Sequence, residues 1–110
     1  MEPTLNPGSG FLRFRIDFSY DGTNFNGWAR QPELRTVQAS MEEAISGLTR
    51  NEVELVVAGR TDAGVHAIAQ VAHVDLPERD RYGKEWRCDD LIYRLNRMLD
   101  EDIRINSIVL

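Results

Sequence analysis

One short segment of the sequence combines an aspartate, an arginine, a histidine and two glycines. Residues 58–67 read Ala-Gly-Arg-Thr-Asp-Ala-Gly-Val-His-Ala and lie between two apolar runs. A plain hairpin needs far fewer residues, and loops longer than the turn requires usually serve chemistry or binding. Gly59 and Gly64 allow a positive φ or a close approach of the backbone to a ligand. The segment therefore predicts an active site in which Asp62 is the reacting group.

Asp62 also has a plainer interpretation. An isolated Asp-Ala-Gly is most often a turn, in which the carboxylate accepts hydrogen bonds from the following backbone amides. A nucleophilic carboxylate must be ionised, and Arg60, two residues earlier, would help to hold it so. Taken alone, the segment leaves both roles open.

Other parts of the chain favour the catalytic role, because they accompany this segment in the order of a known family. They are residues 20–28 with 30–32, residues 35–38, residues 70–73, and Leu95-Asn96 followed by Asp102-Ile103. On these blocks the chain resembles the first half of a TruA-type tRNA pseudouridine synthase over about residues 12 to 110. The string from Arg60 to Ala67 is the most specific part, since an eight-residue match in context is far rarer by chance than a short glycine pattern.

The resemblance implies an enzyme that isomerises uridine to pseudouridine in tRNA, at nucleotides 38 to 40 of the anticodon stem-loop. It implies a homodimer whose two subunits contact one tRNA, and a reaction without cofactor or metal. It also implies a second, similar half that completes the sheet and the catalytic cleft. The family's later motifs, a His-Ala-Arg-Phe block and a basic segment bearing an active-site tyrosine, do not occur in the 110 residues. We therefore expect an N-terminal fragment that is inactive by itself.

The isomerisation breaks the bond from ribose C1′ to the base nitrogen, rotates the uracil and rejoins it through C5. The resemblance assigns the nucleophilic carboxylate to Asp62. Whether it attacks C1′, attacks C6 of the uracil, or assists loss of the C2′ proton to give a glycal stays open. A uridine inside a stem must first leave the stack, at a cost on the order of a few kcal/mol. The resemblance pairs Arg60 with Asp62 and makes Arg60 the candidate to contact the extruded nucleotide.

The remaining candidate residues would hold the RNA. By resemblance, Thr61, Gly64 and His66 shape the pocket. Arginines elsewhere could follow the phosphate backbone, with Gln31 from the same block as Arg30 as a further contact. These backbone candidates are Arg13, Arg15, Arg30, Arg35 and Gln31.

The bulk composition bears on the partner and the compartment. A net charge of −5 argues against a nucleic-acid binder, although a local basic face can coexist with a negative total. The single cysteine, Cys88, excludes an internal disulfide and fits a reducing compartment. Without a long apolar run or a signal-like start, we expect a cytoplasmic protein with no membrane contact. His66 and His73 do not have metal-ligand spacing, so no metal site is expected.

The hydrophobic periodicity predicts the elements that must position this chemistry. Residues 1–10 are expected to be a disordered tail and residues 11–110 a single domain. Apolar and polar residues alternate from Leu12 to Tyr20, which is typical of a half-buried strand. The full prediction comprises strands at 12–20, 53–58, 68–76 and 103–110, with helices at 36–49, capped by Thr36, and from Asp89 through Leu91, Leu95, Met98 and Leu99. The order β-α-β-β-α-β indicates an α+β, ferredoxin-like fold.

Two other classes of function are weighed against the enzyme. Ferredoxin-like sheets also serve as non-catalytic RNA-binding modules, through aromatic side chains on the open face of the sheet. The periodicity instead directs Phe14 and Phe18 into the core, and Trp28 is expected to pack rather than to stack on a base. A purely structural domain would leave the arginine-acid loop unexplained.

Overall fold

In the part of the chain that the structure describes, four strands and two α-helices follow one another in the predicted order β-α-β-β-α-β. The computed structural model describes residues 8–57 and 67–110, with the side chains of residues 67–69 left aside. The elements are β1 (Phe11–Tyr20), α1 (Val37–Thr49), β2 (Val56–Val57), β3 (Ala67–Pro77), α2 (Cys88–Met98) and β4 (Ile103–Val109). The predicted α+β, ferredoxin-like fold is confirmed.

The strands form one sheet in the order β2-β3-β1-β4, and each neighbouring pair is antiparallel. The two central strands, β1 and β3, pair along nearly their whole length, from Phe11 opposite Pro77 to Tyr20 opposite Ala67. Alternate residues of a strand point to opposite faces. The register therefore gives the sheet one apolar face and one polar face.

The apolar face forms the core, and both helices pack on it. Phe14, Ile16, Phe18 and Tyr20 of β1 are each at most 4% exposed, as the alternation predicts. The helices contribute one stripe each, and the buried members of these stripes are Val37, Met41, Ala44, Ile45, Leu91, Leu95 and Leu99.

Two details of the prediction are wrong. Within residues 53–57, the described part of the strand expected over 53–58, only Val56 and Val57 are paired. The backbone N–H of Leu55 donates instead to the carboxylate of Glu42, at 2.8 Å. Met98, predicted to share one helix face with Leu91, Leu95 and Leu99, is 49% exposed, whereas those three leucines are buried. The methyl group of Met98 lies 3.5 Å from the position that a Cβ on Gly47 of α1 would occupy. Met98 therefore packs at the edge of the contact between α1 and α2.

The start of α1 follows the sequence expectation. Thr36 is the N-cap, and its hydroxyl accepts a hydrogen bond from the N–H of Ala39 at 3.3 Å, the usual way to satisfy an amide of the first turn. The N–H groups of Val37 and Gln38 donate to the carbonyls of Gly27 and Trp28. The loop before the helix is thereby tied to it. Across residues 8–57 and 67–110, no helix has the length and apolar character needed to span a membrane.

Candidate active site

The residues predicted to carry the chemistry belong to the loop between β2 and β3. Arg60, Thr61, Asp62, Gly64 and His66 all lie outside the described residues. Their predicted roles therefore stay predictions, and the structure contributes the two ends from which the loop starts.

The two residues that flank 58–66 have well-defined places in the sheet. β2 ends at Val57 and β3 begins at Ala67, and Ala67 lies opposite Tyr20, the last residue of β1. Tyr20 in turn lies opposite Ile103, the first residue of β4. Residues 58–66 therefore lead into the sheet where β1 ends and β4 begins, whereas Val57 lies opposite Ala72, five residues further along β3. We call the end of the sheet at Ala67 the loop end of the domain.

The segment that follows β1 is packed into the loop end. Trp28 is 1% exposed, with its ring centroid 5.7 Å from that of Phe18, so it is the packing residue that the sequence predicts. Phe25 meets Tyr20 edge to face at 6.4 Å. The N–H of Asp21 donates to the carbonyl of Asp102 at 2.9 Å, which joins this segment to the start of β4.

Arg35 is bound by two carboxylates at the loop end. Its guanidinium donates to both carboxylate oxygens of Asp102, at 2.8 and 3.0 Å, and to Asp100 at 3.0 Å. It also lies over the ring of Phe25, 3.9 Å from the centroid. The hydrogen bond to Asp102 is the main reason that the pKa of Arg35 is raised above its ordinary value. We call this arrangement the Arg35–Asp102 clamp.

Sequence reasoning missed the clamp. It placed Arg35 among the arginines that could follow an RNA backbone, and it noted Asp102 only as part of a matching block. Both residues nevertheless belong to such blocks, which is the one signal that could have paired them. Because its guanidinium is held by two carboxylates, Arg35 stabilises the contact between the start of α1 and the start of β4.

Arg30 is bound to a buried acid. The carboxylate of Glu42 is 8% exposed, and it accepts from Nε of Arg30 at 3.2 Å, from Nε2 of Gln38 at 2.9 Å and from the N–H of Leu55 at 2.8 Å. A buried carboxylate needs such partners to offset its lost hydration. The Arg30 side chain is still 47% exposed, while one outer nitrogen donates to the carbonyl of Ala39 at 3.4 Å and the other lies 3.8 Å from Glu43.

Gln31 lies on the same exposed segment as Arg30. Its Nε2 donates to the carbonyl of Asn26 at 3.3 Å. Its predicted contact with RNA stays a prediction, and the observed hydrogen bond is local to the loop.

Arg13 is engaged on the polar face of the sheet. It lies opposite Asp75 and donates to both of its carboxylate oxygens, at 2.8 and 3.1 Å. The hydrogen bonds from Arg13 lower the pKa of Asp75. Burial, followed by the positive charge of Arg13, lowers the pKa of the neighbouring His73.

Arg15 is the more accessible of the two β1 arginines. Its side chain is 59% exposed and donates to Asp17 at 3.1 and 3.2 Å. The hydroxyl of Ser107 on β4 donates to the same carboxylate at 2.6 Å. That hydrogen bond, more than Arg15, lowers the pKa of Asp17. The polar face thus holds two acid-arginine pairs, while Phe14 and Phe18 lie in the core and offer no platform for bases.

The fold and its matched blocks define a ferredoxin-like domain of an RNA-modifying enzyme family. A family profile described as tRNA pseudouridine synthase matches residues 18–107. The chain belongs to this family.

Curated relatives agree with the family profile. A tRNA pseudouridine synthase A from Corynebacterium glutamicum is 49% identical over 104 residues, covering 88% of this chain and 35% of the relative. Proteins with the same name from Frankia casuarinae and Streptomyces griseus are 54% and 53% identical and cover 87% of this chain. The chain spans about a third of the length of the curated relatives that it matches.

Proposed function

We propose that the protein carrying this chain isomerises uridine to pseudouridine in tRNA, with Asp62 as the nucleophile. The observation that supports this most is the family match over residues 18–107, because the matched segment contains Arg60-Thr61-Asp62 without interruption. A structural turn would not require that sequence.

The residues that the structure describes would contribute by holding the segment that carries Asp62 in a fixed position. Catalytic groups work best when the elements that carry them are held rigidly. The flanking residues Val57 and Ala67 are fixed by pairing to β3 and β1, and the Arg35–Asp102 clamp lies at the end of the sheet where β3 begins at Ala67. Arg60 would keep Asp62 ionised and contact the extruded nucleotide.

All three chemical routes share one balance of atoms. The bond from C1′ to the base nitrogen breaks, a bond from C1′ to C5 forms, and the proton on C5 passes to solvent while the freed nitrogen gains one. Asp62 is regenerated at the end of each route. Release of hydrogen from C5 therefore reports the reaction whichever route the enzyme follows.

The finer features of the proposal come from the same resemblance. The uridines would be nucleotides 38 to 40 of the anticodon stem-loop, and the active form would be a cytoplasmic homodimer. The pocket would include Thr61, Gly64 and His66, and the backbone contacts would come from Arg13, Arg15, Arg30 and Gln31. Residues 11–110 would form the N-terminal subdomain, inactive without the other half.

The experiment uses tRNA labelled with tritium at C5 of uridine. The full-length wild-type protein is expected to release tritium, and the Asp62→Ala variant is expected to bind the tRNA but to release none. The purified 110-residue chain is also expected to release none. Turnover by the Asp62→Ala variant contradicts the assignment of the nucleophile. A wild-type protein that binds tRNA without releasing tritium is a non-catalytic RNA-binding module.

A further inference from the structure

A second charged site lies away from the loop end. A pocket opens between the last residues of α1, the turn at residues 80–84 and the first half of α2. Five basic and three acidic side chains line it, in a chain whose net charge is −5. We call this site the basic pocket. Its basic side chains are those of Arg50, Arg81, Lys84, Arg87 and Arg94, and its acidic ones are those of Asp80, Glu85 and Asp90.

The acids of the basic pocket already have partners. Asp80 accepts hydrogen bonds from the N–H groups of Tyr82 and Lys84, at 2.8 and 2.9 Å. Asp90 pairs with Arg94 at 3.2 Å, one helical turn away. Glu85 lies 3.8 Å from Arg79. The three acids are thus held by contacts of their own, and the five basic side chains still outnumber them.

Three cations of the pocket lack such a partner. Arg50, Arg81 and Lys84 make no ion pair with a carboxylate of the described residues. Lys84 is the one lysine of the sequence. On the sheet and at the loop end, by contrast, Arg13 and Arg35 are both bound by acids. The pocket therefore brings together cations whose charge is not already matched.

The turn that carries two of these cations is held by its own hydrogen bonds. The N–H of Asp80 donates to the carbonyl of Lys84 at 2.8 Å, and the N–H of Gly83 donates to the carbonyl of Asp80 at 2.9 Å. Gly83 takes a φ of 78°, which a side chain would disfavour. The turn is thus built to a fixed shape rather than left as an open connection.

Tyr82 gives the turn a further feature. Its side chain is 71% exposed, and the guanidinium of Arg81 lies 4.8 Å from its ring centroid. A cation over an aromatic face is oriented by the ring. Arg81 is thereby held at the surface of the pocket without a carboxylate to compete for it.

We propose that the basic pocket binds the phosphodiester backbone of RNA, as a contact separate from the reacting loop. The pocket begins at the C-terminal end of α1, whereas the loop end lies at the N-terminal end of that helix. A helix of 13 residues is about 20 Å long, so one extended RNA could touch both places. This inference rests on the proposed function, since tRNA supplies the polyanion.

The test compares two arginines in matched surroundings. Arg81 lies over Tyr82 and Arg97 lies over Tyr93, both without a carboxylate partner in the described ranges, but only Arg81 lines the pocket. Binding of a fluorescein-labelled tRNA transcript is measured on the full-length protein as salt is varied. Each phosphate contact adds about 0.7 to 0.9 to the slope of log affinity against log salt.

The Arg81→Gln and Lys84→Gln variants are each expected to reduce that slope by about one, and the triple variant with Arg50→Gln by roughly two to three. Arg97→Gln is expected to keep the wild-type slope. An Arg81→Gln slope equal to that of the wild type, or an equal loss in Arg97→Gln, overturns the inference. If the pocket instead binds an acidic protein, the Arg81→Gln variant will show the wild-type slope with tRNA.

Failure of this inference is distinguishable from failure of the proposed function. Tritium release by the wild type together with an unchanged Arg81→Gln slope overturns the basic pocket alone. A wild type that binds tRNA without releasing tritium overturns the proposed function, while the slopes of the variants still decide whether the pocket binds RNA.

Discussion

Arg35 donates two hydrogen bonds to the carboxylate of Asp102, which lies 67 residues further along the chain. Arg35 directly precedes Thr36, the N-cap of α1, and Asp102 directly precedes β4, so the contact joins the starts of these two elements. Asp21, directly after β1, donates its N–H to the carbonyl of the same Asp102. Three separate parts of the sequence are therefore fixed together at the end of the sheet where β3 begins at Ala67, directly after residues 58–66.

Breaking the clamp should lower stability and activity together. Replacing Asp102 with asparagine removes the charge that pairs with Arg35, and charged hydrogen bonds of this kind are worth about 1–2 kcal/mol when partly exposed. We expect a loss of free energy of unfolding of that size, measured by urea denaturation. We also expect slower tritium release with little change in tRNA affinity, because the guanidinium of Arg35 is already bound by Asp102 and Asp100 and in our proposal acts as a support for the loop.

The Arg15–Asp17 pair provides the control for the clamp. Arg15 is 59% exposed, and surface pairs of this kind contribute about 0–1 kcal/mol. Arg15→Gln should therefore change the free energy of unfolding less than Asp102→Asn does. Equal losses in the two variants would show that the clamp is no more than a surface ion pair.

Glu42 should be the most costly single acid to remove among those described. Replacement by alanine leaves the N–H of Leu55 and the side chain of Gln38 without their acceptor, and an unsatisfied buried group costs about 1–3 kcal/mol. The neighbouring Glu43 is 73% exposed and lies 3.8 Å from the same Arg30. Glu43→Ala should stay within about 0.5 kcal/mol of the wild type, and a matching loss there would argue against the network.

The polar face of the sheet should make stability depend on pH. Burial lowers the pKa of His73 below its ordinary 6.5, and Arg13 lowers the pKa of Asp75 below its ordinary 3.8. Each group therefore binds its proton more readily in the unfolded chain, so stability falls as the pH is lowered. The contribution of His73 is fully present above about pH 6.5 and is lost as the pH falls through its folded-state pKa; that of Asp75 is lost in the same way below about pH 3.8.

The His73→Gln variant separates the two windows. Urea midpoints measured from about pH 7.5 down to about pH 4.5 should decline in the wild type and stay flatter in the variant, because Asp75 titrates only below this range. Parallel curves for the two proteins would mean that His73 has the same pKa in the folded and unfolded states.

Local patterns were enough to predict most of the fold. The alternation from Leu12 to Tyr20 predicts both the strand and its buried face, and Thr36 predicts the start of α1. These features depend on residues close in sequence, whose spacing alone states which side chains share a face.

The contacts that the sequence could not predict join distant residues. Among residues 53–57, Leu55 is not part of the ladder, since its N–H donates to Glu42, 13 residues earlier. The Arg35–Asp102 clamp and the Ser107–Asp17 hydrogen bond span 67 and 90 residues. The hydrophobic periodicity of a segment does not tell which distant acid an arginine will pair with. Sequence reasoning therefore assigns both β1 arginines and Arg35 to RNA, although each has an acid beside it.

The carboxylate of Asp62 performs the central chemical step of the proposed reaction. Its direct test is single-turnover release of tritium from tRNA labelled at uridine C5, comparing wild type, Asp62→Asn and the control Asp89→Asn in the full-length protein. The amide in Asp62→Asn keeps the shape of the side chain but removes the nucleophile, whereas Asp89 is an exposed acid at the start of α2. We predict that Asp62→Asn slows release by at least about a thousandfold with tRNA affinity unchanged, and that Asp89→Asn reacts like the wild type. Release by Asp62→Asn at the wild-type rate would contradict the account.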